Sequence, residues 1–100
     1  MASINHIASG VDVAAAGTAV ALSSTQITAA WVFIQAKADN TGKIHVGGSA
    51  VSSTSKMVEL SPTDGFTFPT PSVPNIYDLQ EIFIDADNND DGVWVGYGVV

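Results

Sequence analysis

Glycine, proline, asparagine and serine recur so often along this chain that the apolar runs between them are short, and the clearest of those runs alternate every second residue. Trp31 to Ala38 shows it best. Val32, Ile34, Ala36 and Ala38 make one wholly apolar face, while Trp31, Phe33, Gln35 and Lys37 make the other, passing from aromatic to polar. Such a segment is a central sandwich strand, covered on both sides at its start and solvated on one side at its end. Val93, Val95, Tyr97 and Val99 repeat the alternation against Trp94, Gly96, Gly98 and Val100, and the glycines leave room for close packing on that second face. Within the segment 81–86, Ile82 and Ile84 alternate with Phe83 and Asp85.

The shorter runs complete an all-β reading. Ile4 to Ile7 is a first strand. Val11 to Ala15 and Thr18 to Leu22 flank Gly17 as a hairpin, and Lys43 to Val46 returns from the Trp31 strand through Asn40-Thr41-Gly42 as a second hairpin. Lys56 to Leu60 and Phe66-Thr67-Phe68 are further strands. Ser23 to Ala30 has room for one helical turn capped by Ser23 or Ser24. The prolines between Pro69 and Asn75 make that stretch a loop, because proline removes a ladder donor. The expected fold is a single-domain antiparallel β-sandwich over residues 1–100, Ig-like or a small jelly-roll, of about seven to eight short strands.

Composition narrows function. At 100 residues and 10.3 kDa the chain makes one domain with a modest core. Only 13% of its residues are charged, with Ser and Thr in their place, and the net charge is −7. The bases are Lys37, Lys43 and Lys56 alone, so nucleic acid and anionic membrane surfaces are not expected partners. Absence of cysteine removes disulfides, thiolate metal sites and thiol nucleophiles. The apolar stretch Val11 to Leu22 lacks a basic flank and contains Asp12, so it is not read as a signal peptide, and no run is long enough for a membrane span.

Catalytic patterns are absent, and no cofactor is expected. Gly47-Gly48-Ser49-Ala50-Val51 begins like a nucleophile elbow but ends in Val rather than Gly. His6 and His45 are the only histidines and share no ligand spacing. His45 alternates with Ile44 and Val46, which predicts a solvated or interface side chain. The sharpest local feature is Asp85-Ala86-Asp87-Asn88-Asn89-Asp90-Asp91-Gly92. Asp85, Asp87, Asn89 and Asp91 are candidate Ca²⁺ ligands, although Asp90 stands where an EF-hand requires Gly and strands replace the flanking helices. The competing reading is a turn between two strands, since turns use the same residues.

Three stretches carry a resemblance: Gly17-Thr18-Ala19-Val20-Ala21-Leu22-Ser23; Asn40-Thr41-Gly42-Lys43-Ile44-His45-Val46-Gly47; and Ile82-Phe83-Ile84-Asp85-Ala86 followed by Asp91-Gly92-Val93. In this order they resemble a family of small virion proteins of tailed bacteriophages, of the capsid decoration, or cement, type. The turn Leu60-Ser61-Pro62-Thr63-Asp64-Gly65 is longer than the family's Leu-x-Pro-Gly, and Pro69–Asn75 looks like an insertion. The resemblance implies a β-sandwich on the outer capsid surface of the virion, made in the host cytoplasm, trimeric, and bridging major capsid subunits. The alternative it leaves is a small tail or fibre component that binds host-surface glycan. Phe66, Phe68, Pro69, Pro71 and Trp94 are the candidate interface residues, because aromatics are enriched at interface centres. Trp31 and Phe33 are assigned to the core.

Overall fold

A computed structural model describes residues 3–68 and 77–99. Its strands are β1 (Ser3–His6), β2 (Val11–Asp12), β3 (Val20–Ala21), β4 (Thr28–Ala29), β5 (Trp31–Ala36), β6 (Ile44–Gly47), β7 (Val58–Leu60), β8 (Gly65–Thr67), β9 (Tyr77–Asp78), β10 (Phe83–Ala86) and β11 (Gly92–Val99), with one 3-10 turn at Leu79–Glu81. One sheet runs β1-β11-β5-β8, with β2 also pairing on β11; the second runs β3-β10-β6-β7; β4 and β9 form a small ladder. All pairings are antiparallel.

Setting aside β2, β4 and β9, which lie outside the two four-strand orders, the first main sheet takes the first, eighth, third and sixth of the remaining strands. The second takes the second, seventh, fourth and fifth. That order is the double Greek key of a jelly roll, which decides between the two sandwich forms the sequence allows. Of the extra short strands, β2 lies within the Val11–Ala15 run read as a strand, while β4 is a two-residue contact within the segment read as a helical turn.

The inner faces follow the sequence pattern. Val32, Ile34, Ala36, Val93 and Val95 from the first sheet meet Ile44, Val46, Leu60, Ile84 and Ala86 from the second in one buried cluster. Each Val, Leu or Ile among them stabilises the fold by about 1.5–3 kcal/mol relative to exposure.

Three local expectations are corrected. Val11–Asp12 and Val20–Ala21 are not a hairpin: β2 joins β11 and β3 joins β10, so the chain between them crosses from one sheet to the other. Nor does β6 pair with β5; Asn40-Thr41-Gly42 is a corner between sheets. Both corrections have one cause. Each strand has an apolar face to bury, and placing consecutive strands in opposite sheets buries both faces against each other. The segment Ser23–Ala30 holds no helical turn; Thr28 and Ala29 pair instead with Asp78 and Tyr77.

Candidate functional site

The jelly-roll order gathers three connections at one end of the sandwich: Ile7–Ala19, Lys37–Lys43 and Asp87–Asp91. The acidic loop binds the other two. Asp91 is 5% exposed, and its carboxylate accepts from Thr41 N at 3.0 Å to each oxygen, from Gly42 N at 2.9 Å and from Thr41 Oγ1 at 3.3 Å. Asn40 makes a reciprocal pair with the next residue: its Nδ2 donates to Gly92 O at 2.8 Å, and Gly92 N donates to its Oδ1 at 2.9 Å. Asp85 Oδ1 accepts from Gly17 N at 2.9 Å and Ala86 N at 2.8 Å, and Asn89 Oδ1 accepts from Ala16 N at 2.9 Å.

The calcium reading of Asp85, Asp87, Asn89 and Asp91 therefore meets a different geometry. All four residues turn an oxygen to an amide of another connection, and Asp87, which takes Lys43 N, also accepts from His45. Among the described residues no group of three His, Cys, Asp or Glu side chains converges to hold a metal ion. Amide N–H groups are what these oxygens hold, for the same reason they suit cations: a carboxylate is acceptor-only.

His45 points away from Ile44 and Val46, as the alternation requires, but it is 2% exposed and not solvated. On its own face it lies between Glu59 of β7 and Asp85 of β10, its register partners. Nε2–H donates to Asp87 Oδ1 at 2.7 Å. Nδ1 stands 3.5 Å from Glu59 Oε1 and has no hydrogen-bond partner among the described residues. Glu59 in turn holds Lys56 at 2.9 Å and Lys43 at 3.1 Å. This row of polar groups was hidden from the sequence because its members come from three separate stretches of the chain, around residues 43–45, 56–59 and 87.

The His45 hydrogen bond holds the Asp87 carboxyl below its ordinary value, helped by the Lys43 amide, and the Lys56 and Lys43 ammonium groups do the same for Glu59. Both carboxylates thus add stability above their ordinary pKa values of 3.8 and 4.5 and lose it as pH falls through their lower folded values. The melting temperature should accordingly be insensitive to these two groups near neutrality and fall on the acid side. In a melting series from neutral pH to about 2, Asp87→Asn should flatten that acid branch. Superimposable branches would remove Asp87 from the account.

The elbow-like segment lines a cleft of about 400 Å³ with Gly47, Ser49, Val51, Ser55, Lys56 and Met57. His45 is not among the lining residues, so Ser49 has no imidazole beside it there.

The interface candidates separate. Phe68 belongs to the core: it is 6% exposed, and its ring packs edge-to-face on Phe66 at 5.2 Å and Tyr77 at 5.5 Å. Phe66 is half-buried against the same cluster. Pro69 and Pro71 lie outside the described residues. Trp94 is exposed on the outer face of the first sheet, and Lys37 Nζ sits 4.4 Å from its ring centroid. Phe33 and Trp31 share that outer face instead of lying in the core, because Val32, Ile34 and Ala36 already fill the inner one.

No protein-family model matches this chain, and no curated protein or solved structure is significantly similar to it. No helix among the described residues is long and apolar enough to cross a membrane.

Proposed function

We propose that this chain is a non-enzymatic structural protein of a tailed-phage virion. In this reading it is a head decoration, or cement, protein that binds the outer capsid as a homotrimer and bridges major capsid subunits. One observation carries the proposal. The three stretches that resemble that family lie far apart in sequence but come together in space. They supply β3, β10 and β6, adjacent in the second sheet, together with the Asp91 and Asp85 contacts to Thr41, Gly42 and Gly17. Residues that share a hydrogen-bonded unit are what a common fold would retain, whereas coincidental strand-and-turn residues would scatter. The jelly roll recurs in viral capsid and lectin domains, which supports the reading by fold-level analogy. A protein of this kind acts by binding alone: burying surface across subunit junctions stabilises the assembled state by mass action.

A second reading, a tail or fibre component that binds host-surface glycan, is favoured by the exposed Trp94. Quantitative mass spectrometry of purified virions separates the two. Copy numbers in the hundreds, scaling with the major capsid protein, are expected for a shell protein; about a dozen copies would overturn that reading in favour of the tail.

A further inference from the structure

Four large apolar side chains are exposed among the described residues: Ile4 at 81%, Met57 at 56%, Trp94 at 47% and Phe33 at 37%. Three of them lie on a single surface. The registers Ile4↔Gly98, Phe33↔Gly96 and Trp94↔Gln35 put Ile4, Phe33 and Trp94 on the outer face of β1-β11-β5. Trp31 joins them, lying across Gly98 so closely that a Cβ there would overlap its indole Nε1.

Relief on this face is complementary to itself. Trp94 projects, and its indole is held from one side by Lys37, which is itself fixed by Asp12 at 3.0 Å and Ser9 O at 2.9 Å. Two residues along the same strand, Gly96 leaves a gap: a Cβ there would find only Asn5 O, at 3.8 Å. The gap is flanked by Phe33 and His6, the register partners of Gly96. A knob and a hole on one surface are what a contact between identical copies requires.

Charge points to the same occupant. The chain carries ten acidic residues against three basic ones, so most approaches of one copy to another are repulsive. On this face Lys37 is matched by Asp12, and the positions around the gap, Phe33, His6, Trp94 and Gly98, carry no carboxylate.

We infer that the outer face of β1-β11-β5-β8 is the surface through which this protein binds a second copy of itself, with Trp94 of each molecule seated over Gly96 of a neighbour. Reciprocal seating of Trp94 on Gly96 across one face is a two-fold contact, so the inference goes beyond the proposed homotrimer and does not depend on the capsid as destination.

Sedimentation velocity of the full chain over micromolar to near-millimolar concentrations tests it. The wild type is expected to associate. Trp94→Ala, which removes the knob, and Gly96→Val, which fills the hole, should each weaken association at least about tenfold while the melt of the monomer persists. Met57→Ala, just before β7 and away from this face, should leave association unchanged. A wild type that stays monomeric throughout, or assemblies indifferent to both Trp94→Ala and Gly96→Val, would overturn the inference. A monomer that instead binds purified capsids or glycan through Trp94 would assign the face to that partner and overturn it as well. The virion count fails separately: self-association with only a dozen or so copies per particle removes the shell reading and leaves this one standing.

Discussion

Replacing Asp91 with alanine is expected to lower the melting temperature by about 10–20 °C, equivalent to about 2–3 kcal/mol in a domain of this size. The carboxylate is buried and satisfies three donors, the amides of Thr41 and Gly42 and the Thr41 hydroxyl. Alanine leaves the two amides without a partner at the corner where the chain passes from β5 to β6. The two amides lie at a part-buried corner, and hydrogen bonds to a charged group are worth about 1.5–3 kcal/mol, more than an exposed ion pair. Asp91→Asn should fall between, since one oxygen remains while its amide N–H₂ faces donors. The neighbouring Asp90 provides the contrast. It is exposed, and its φ of 68° suits glycine, so Asp90→Gly should leave the melt unchanged or raise it slightly. If Asp91→Ala melts within a degree or two of wild type, these contacts do not hold the corner.

That contrast shows what a linear reading of the acidic loop could supply. Composition correctly marked the loop as rich in carboxylate and amide oxygens between two strands. It could not say what those oxygens meet, because the donors lie in the Ala16–Gly17 and Thr41–Gly42 segments, brought close only by the jelly-roll order. Alternation was legible for the same reason in reverse: it is local. Val32, Ile34 and Ala36, and likewise Ile82 and Ile84, are buried where their period puts them. Yet a strand with two apolar faces does not declare which faces inward. The Trp31–Phe33 face lost that competition because branched aliphatic residues from both sheets interlock in the space between them. His45 is a related case: its direction followed from its neighbours in sequence, and its burial from Glu59, Asp85 and Asp87 on other strands.

Gly92→Ala is the other substitution expected to have a large effect, about 2–3 kcal/mol and again about 10–20 °C in melting temperature. A Cβ at this position would overlap the Asp12 carboxylate and the Val11 carbonyl and come within 2.9 Å of Asp12 Cα. Two of these obstacles are backbone, so rotating a side chain cannot relieve them. Either β2 leaves β11 or the start of β11 shifts. In the first case the pairings Gly92↔Asp12 and Val93↔Val11 break, and Asp12 releases Lys37, the residue that holds Trp94. In the second, the reciprocal Asn40–Gly92 bonds break and the corner next to Asp91 opens. Amide exchange tells them apart: loss of protection at Val13, whose N–H donates to Asp91 O at 2.8 Å, without change at Thr41 marks detachment of β2. Loss at Thr41 marks the shift of β11. Gly96→Ala on the same strand, with open space above it, should leave the monomer's melt nearly unchanged. Equal effects at the two glycines would mean that strand propensity, and not the close approach of β2, explains the conformational demand at Gly92.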